Sequence, residues 1–394
     1  MDRDRHGRQW VNAVASGRTA KRRATGVLAV IAGLAAIAAA TISGSAGAAA
    51  AAAAEPASAA TLTVINAVSC ASATHCWAGG SDDKGAAIVA TADGGATWRV
   101  AYATTKFDDI IAIDCTAIAH CIAIGDEDEG TRTAFLETTD GGKAWSIHAA
   151  PKSLAEAEAL SCANGADCWA VGLAGDRSKA AVARTTDGGR GWTPESVPAL
   201  QTAMSSSFGI SCTSGADCLV TGEGALTTTN GGRTWAKHNV PGGVPLGMVT
   251  CPSTKDCYAI FDVTSAVPSN EAAYLYTSVN GGLNWKDVLA SPRHVAGLGS
   301  VSCPSTSTCV AVGYGLTPPA NRTDELYALS ELTLTSGRHW VQTTAASAQA
   351  LFAVSCVAKT RDCVAGGETR AGTAVILKSA NDGVTWTSEP LPRA

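Results

Sequence analysis

Between Leu62 and about Pro390 the chain alternates short apolar runs with turns rich in Gly, Ser, Thr, Asp and Pro. Runs of that length bounded by turn residues predict β-strands rather than helices. The first four are Leu62–Ser69, Cys76–Gly79, Ala86–Thr91 and Thr97–Ala101, and are called strands A to D below. The same order returns as Ile110–Asp114, Cys121–Gly125, Thr133–Thr138 and Ala144–His148. A third unit uses Ala159–Ser161, Cys168–Gly172, Ala180–Thr185 and Gly191 onward, and its strand B, CWAVG, shows the favoured pattern of Cys, apolar, Ala, apolar, Gly.

Each unit carries one octapeptide between strands C and D, called the box below. The copies are TADGGATW (Thr91–Trp98), TTDGGKAW (Thr138–Trp145), TTDGGRGW (Thr185–Trp192), TTNGGRTW (Thr228–Trp235), SVNGGLNW (Ser278–Trp285), TLTSGRHW (Thr333–Trp340) and SANDGVTW (Ser379–Trp386). Their Trp residues lie 47, 47, 43, 50, 55 and 46 positions apart. A fixed period of this size marks one supersecondary unit repeated, here seven times. Each four-stranded sheet would present two apolar faces that only its neighbours can cover. The predicted fold is therefore all-β, a seven-bladed β-propeller over residues 62–390 with four antiparallel strands per blade. An open solenoid would need capping repeats.

The 14 cysteines fall into seven local pairs, one upstream of each box. The pairs are Cys70 with Cys76, Cys115 with Cys121, Cys162 with Cys168, Cys212 with Cys218, Cys251 with Cys257, Cys303 with Cys309 and Cys356 with Cys363. Zinc sites gather four ligands in one neighbourhood, which seven separate two-cysteine sites do not supply. An even count in an exported chain reads as disulfides. Facing residues of an antiparallel pair stand about 4.5 Å apart, so each bridge would close an A–B hairpin. A closed loop of about seven residues contributes about 2.4 kcal/mol on the chain-entropy model.

Export is expected from the N-terminus. Arg3, Arg5, Arg8, Arg18, Lys21, Arg22 and Arg23 lie in a basic region (residues 1–25) ahead of an apolar run (26–42) and an Ala-rich linker (43–61). This is the layout of a signal peptide. About 17 apolar residues also approach the length of a membrane anchor, and both readings place the folded part in the cell envelope or outside the cell. A net charge of −5 offers no basic stripe for nucleic acid. No cofactor or metal is expected, and a monomer is.

The pattern Ser/Thr-x-Asp-x-Gly-x-Thr-Trp, carried in full by Thr91, Asp93, Gly95, Thr97 and Trp98, resembles the Asp box or BNR repeat of sialidase-type propellers. The repeat looks most like that of photosystem II assembly factor-like propellers, although the disulfide in every blade departs from that group and no photosynthetic role is carried over. Asp93, Asp140 and Asp187 are read as turn residues rather than acids, because Asn230, Asn280, Thr335 and Asn381 stand in their place elsewhere. Gly supplies the positive φ of the turn, and Trp98, Trp145, Trp192, Trp235, Trp285, Trp340 and Trp386 wedge between sheets.

Alternating strand direction puts the A–B hairpins and boxes at one end of the disc and the B–C and D–A loops at the other. The resemblance implies that any site lies opposite the boxes. The B–C loops hold Asp82, Asp83, Asp126–Glu129, Arg132, Asp176, Arg177, Lys179, Glu223, Glu271, Arg322, Asp324, Glu325, Glu368 and Arg370. Arg132, Arg177, Arg322 and Arg370, with Tyr314 and Tyr327, are the candidate binding residues, since arginine clamps carboxylates or phosphates. Asp126–Glu129 reads as a solvated acidic turn, lacking the alternating pattern of a calcium loop.

The expected function is an exported noncatalytic module that binds a protein, peptide or envelope glycan. The alternative is a glycoside hydrolase, either sialidase-like or using two carboxylates such as Glu223 and Asp324. A sialidase would carry an Arg-Ile-Pro segment, which the sequence lacks. Xyloglucan-cutting enzymes of this kind pair two propellers.

Alkylation of the unreduced protein should add no label, and alkylation after reduction should add 14. Intact mass reads both, and several free thiols before reduction would overturn the blade-by-blade pairing.

Overall fold

The computed structural model describes residues 62–127, 132–201, 208–261, 274–290, 295–316 and 326–392. These form seven sheets of four consecutive antiparallel strands, each in the order A-B-C-D. Blade 1 is Val64–Cys70, Cys76–Ser81, Ala86–Thr91 and Arg99–Thr104. Blade 7 is Ala350–Cys356, Cys363–Glu368, Ala374–Ser379 and Thr387–Glu389. The A strands of neighbouring blades pack against one another all the way round, including blade 7 against blade 1. The arrangement is a closed seven-bladed propeller with strand A innermost. The outer strand is often short, and in blade 3 it shrinks to Thr193–Pro194.

The core lies between blades rather than within them. Seven apolar clusters each draw side chains from two neighbours; one joins Trp77 and Ile88 of blade 1 to Phe107, Ile110 and Leu136 of blade 2. The joint between blades 7 and 1 is built alike, with Ile65 and Val89 against Val364 and Ile376.

All seven expected disulfides are present, with Cα atoms 4.0–4.1 Å apart and no free cysteine. The two members of each pair differ in burial. The second member opens strand B and is buried in every blade: Cys76, Cys121, Cys168, Cys218, Cys257, Cys309 and Cys363. Cys121, Cys168 and Cys309 are wholly shut off from solvent. The first member ends strand A at the rim of the hairpin and stays partly exposed, except for the buried Cys115. The physical reason is position within the sheet. Strand B is covered on both faces by the clusters between blades, and Cys309 packs there among Tyr258, Leu298 and Leu329. These sulfurs are core side chains and offer nothing to a ligand.

Two local devices were not visible in the strand pattern. First, strand A is bulged in most blades, with register shifts at Ile65/Ala67, Ile110/Ala112, Leu298/Ser300 and Leu351/Ala353 among others. A bulge adds an unpaired residue and bends the strand. It also brings backbone over the last position of the strand B pattern. A Cβ at Gly80 would strike the Val64 carbonyl, and one at Gly172 the Glu156 carbonyl. The recurrent glycine is therefore a close-approach residue.

Second, in six of the seven pairs the residue before the first cysteine links its blade to the next. Ser69 Oγ accepts the Cys115 N–H at 3.0 Å, Ser161 Oγ that of Cys212 at 3.0 Å and Ser211 Oγ that of Cys251 at 2.9 Å. Asp114 Oδ2 serves Cys162 at 2.8 Å and Ser302 Oγ serves Cys356 at 2.9 Å. Ser355 Oγ serves Cys70 at 3.1 Å, which joins blade 7 to blade 1.

No strand is exchanged at the closure, so the joint between blades 7 and 1 should be worth what an internal joint is worth. Ser355→Ala and Ser302→Ala should each cost about 1–3 kcal/mol by orphaning a backbone N–H. Denaturant unfolding of the oxidised protein checks this, and a Ser355→Ala variant with unchanged stability would contradict it.

Candidate functional site

The boxes are turns, as their sequence variation implies. Thr91 Oγ1 accepts the Gly95 N–H at 2.9 Å, while Asp93 accepts the Thr97 N–H at 2.9 Å and the Thr97 hydroxyl at 2.6 Å. These bonds to Thr97, the hydroxyl bond foremost, hold the Asp93 carboxyl down at about 2. Asn230 accepts the Thr234 N–H at 3.0 Å, and Thr335 Oγ1 accepts that of His339 at 3.0 Å. In blade 7 the amide of Asn381 donates to the Thr385 hydroxyl, inverting the polarity that Asp93 has toward Thr97. A carboxylate is thus dispensable.

Each box also clasps its surroundings. The Gly94 N–H donates to Thr74 O of its own A–B hairpin, and equivalent bonds recur in the other blades. Hairpins and boxes therefore share one end of the disc, and the B–C loops lie at the other. Donors from the preceding blade reach the box glycine carbonyls: Arg99 to Gly141 at 3.0 Å, Arg184 to Gly231 at 2.6 Å and Lys378 to Gly94 at 2.6 Å.

At the B–C end the candidate residues are spread over several blades. Arg132 opens strand C of blade 2 and pairs with Glu127 at 3.3 Å. Arg177, in the blade 3 loop with φ of 56°, pairs with Glu156 at 3.0 Å. Arg370, in the blade 7 loop, donates to Leu326 O of blade 6 at 3.4 Å. Tyr314 and Tyr327 lie on adjoining strands B and C of blade 6, Tyr314 beside Gly297. Burial, and then the charge of Glu331, pushes the Tyr327 hydroxyl up. Glu223 sits in the tight turn between Gly222 and Gly224. Arg322 and Asp324, with Asp128, Glu129, Glu271 and Glu325, lie outside the described residues, as does the whole of 1–61. The register, Tyr314 opposite Ala328 and Tyr327 opposite Gly315, puts the two tyrosines on opposite faces of the blade 6 sheet, and Arg132, Arg177 and Arg370 stand on three blades, each beside a near neighbour. Asp82 and Asp176 cap their own loops, Asp82 accepting the N–H groups of Lys84 and Gly85.

Other polar groups lie deeper, nearer the innermost strands. Asn66 of blade 1 donates to Asp109 of blade 2 at 2.6 Å, and Asp109 faces Asp126 across strands A and B. Burial pushes the Asp109 carboxyl up to about 8, with the charges of Asp126 and Asp108 adding to it. Glu158 accepts the Phe208 N–H of blade 4 at 3.1 Å. Glu331 is fully buried in strand C of blade 6, its carboxyl raised to about 7 by burial. The other blades place Val89, Leu136, Ala183, Leu226, Tyr276 or Leu377 at that position, nine before the Trp. Comparing units position by position would have exposed Glu331; nothing in the local sequence flags Asp109. Among the described residues no group of three or more His, Cys, Asp or Glu is placed to hold a metal ion.

Fold and loops together define a disulfide-stapled seven-bladed β-propeller with a polar loop end opposite its boxes. No protein-family model matches the chain, and no curated protein matches it in sequence. Among solved structures it is similar to YCF48 bound to D1 peptide, at 16% identity and a TM-score of 0.57, over 82% of this chain and 96% of that one. YCF48 from Cyanidioschyzon merolae gives 16% and 0.55 over 80% and 96%. The GH74 xyloglucanase from Xanthomonas campestris gives 14% and 0.59 over 83% of this chain but 53% of that one, so this chain corresponds to about half of the enzyme. At these identities the likeness is one of fold. The seven disulfides fit an oxidising, extracytoplasmic compartment, and no helix among the described residues is long and apolar enough to cross a membrane.

A carboxyl whose folded pKa is raised favours the native state at low pH and loses that contribution as pH climbs toward the raised value. Stability should therefore fall between pH 5 and pH 8, by up to about 1 kcal/mol per pH unit for each such group. Asp109→Asn and Glu331→Gln should each flatten this slope in denaturant titrations. An unchanged slope in both variants would show that neither carboxyl is held neutral.

Proposed function

We propose that this chain is an exported, noncatalytic propeller that binds an extended protein or peptide segment across its B–C loop end. One observation supports this above the rest: its described blades align over nearly the whole of a single-propeller protein whose structure was solved with a peptide bound. The loop end is suited to that work. The side chains of Arg132 and Arg177 are 66% and 50% exposed, each beside a carboxylate neighbour, and arginine at such a position can clamp a peptide carboxylate. Tyr314 and Tyr327 stand on rigid strands beside the blade 6 loop, which contains Arg322. Rigid strands presenting polar loop groups are how scaffolds of this kind recognise ligands.

The second reading, a glycoside hydrolase, rests on the likeness to the GH74 propeller. It requires Glu223 and Asp324 to face each other across a cleft about 5–10 Å wide. A turn between two glycines holds Glu223 less rigidly than a strand would, and the chain supplies one propeller where that enzyme is about twice as long.

Display-library selection on the immobilised full chain should enrich a common peptide pattern. The variant Arg132→Ala/Arg177→Ala/Arg370→Ala should weaken capture of that peptide by about tenfold or more, roughly 1.4 kcal/mol. Turnover of xyloglucan oligosaccharides or aryl glycosides that disappears in Glu223→Gln would overturn the noncatalytic reading.

A further inference from the structure

The box end, which the turn chemistry removes from consideration as a catalytic site, is divided into two unlike halves. Boxes 1 to 3 carry Asp93, Asp140 and Asp187, and hydrogen bonds within each turn hold all three carboxyls below the usual range. Boxes 4 to 7 place Asn230, Asn280, Thr335 and Asn381 at the same position. Exposed apolar tips gather in boxes 5 to 7, while box 4 carries Thr229 and Arg233, and among the described residues the other half shows one large exposed apolar side chain at this end, Ile118 of the blade 2 hairpin. Val279 is 74% exposed, Leu334 55%, Leu283 46% and Val384 42%, all at the tips of boxes 5, 6 and 7. The corresponding tip positions in boxes 2 and 3 hold Thr139, Lys143, Thr186 and Arg190.

Cations surround these tips. Arg233 in box 4, Lys255 in the blade 5 hairpin, Arg338 in box 6 and Lys359 in the blade 7 hairpin are all exposed. Three carboxylates of the same half are drawn inward. Ser214 donates to Asp217 at 2.7 Å and Ser253 to Asp256 at 2.8 Å, while Asp382 is buried and bound by Arg361 at 2.7 Å. A cavity of about 130 Å³ opens between blades 4 and 5 beside Leu283, lined by Thr213, Thr229 and Thr254 among others.

We propose that the box end of blades 4 to 7 seats the propeller on an anionic lipid surface. Four apolar tips at equivalent turn positions would enter the interfacial layer, and the outward cations would meet the headgroups. Apolar side chains flanked by Lys and Arg are the pattern of interfacial binding. Equivalent turns of a repeating ring lie at one height, which matches a plane better than a groove for a peptide. The structural carboxylates of boxes 1 to 3 would tilt the disc toward its neutral half. This placement keeps Asp109, Asp126, Glu156 and Glu158, which belong to the opposite end of the strands, away from the anionic surface.

Amide hydrogen exchange of the full chain on phosphatidylglycerol and phosphatidylcholine vesicles tests this. On phosphatidylglycerol, exchange in Ser278–Trp285, Thr333–Trp340 and Ser379–Trp386 should slow severalfold as these tips enter the interface, with Thr91–Trp98 and Thr138–Trp145 unchanged. Val279→Ser/Leu283→Ser/Leu334→Ser/Val384→Ser, whose sites are exposed and bear little on folding, should abolish the slowing while leaving the thermal midpoint in place. Equal slowing in all boxes, slowing on both lipids alike, none on either, or slowing only when an envelope protein extract is added would each overturn the proposal.

Discussion

The open inner edge of strand A is the constraint on which the rest of this molecule depends. A strand with no partner on one side presents unpaired N–H and C=O groups, and a propeller places seven such edges around its axis. Here, at six of the seven joints, the Cys N–H at the end of strand A donates into the preceding blade, to Ser69, Asp114, Ser161, Ser211, Ser302 or Ser355. The disulfide beside each of these bonds ties strand A to strand B, so the edge and its hairpin move as one piece. Asp114 shows that the bond matters more than the hydroxyl. Burial raises its carboxyl to about 6, yet the N–H groups of Cys162 and Cys115 still hold it in place.

From that belt outward, each layer repeats the same logic of a blade completed by its neighbour. Ile65 packs against Gly366 and Ile110 against Gly79, so a β-branched side chain of one blade fills the space a glycine leaves in another. At the rim, Arg99, Arg184 and Lys378 reach across to box glycine carbonyls. Three kinds of contact therefore recur at different radii. Because blade 7 meets blade 1 through all three, the ring closes without borrowing a strand.

The repeat made the fold legible. Trp spacing gave the number of blades, cysteine pairing gave the hairpins, and Asn and Thr at the Asp position exposed the box as a turn. The belt is carried by the Ser-Cys dipeptides, yet a serine before a cysteine looks like any polar residue at a strand end. The bulges escaped because an inserted residue leaves hydrophobic alternation nearly intact. Much less of the candidate site was legible. Arg132 and Arg177 drew attention as charges, but their partners Glu127 and Glu156 are fixed only by strand pairing. Asp109 is raised by burial between blades, and its partner Asn66 lies 43 residues earlier in sequence, a distance no local pattern spans. The box end reads from sequence as structural. Its turns are structural, while the residues at their tips differ between the two halves of the ring.

The closed ring makes one quantity decisive: the exchange rate of the Cys70 amide, which lies at the joint between the last blade and the first. If the belt closes the molecule, the Cys70 N–H should exchange as slowly as those of Cys115, Cys212 and Cys356, with the denaturant dependence of global unfolding. Fast exchange at Cys70, with the internal joints still protected, would show that the ring opens there and would contradict closure by the belt.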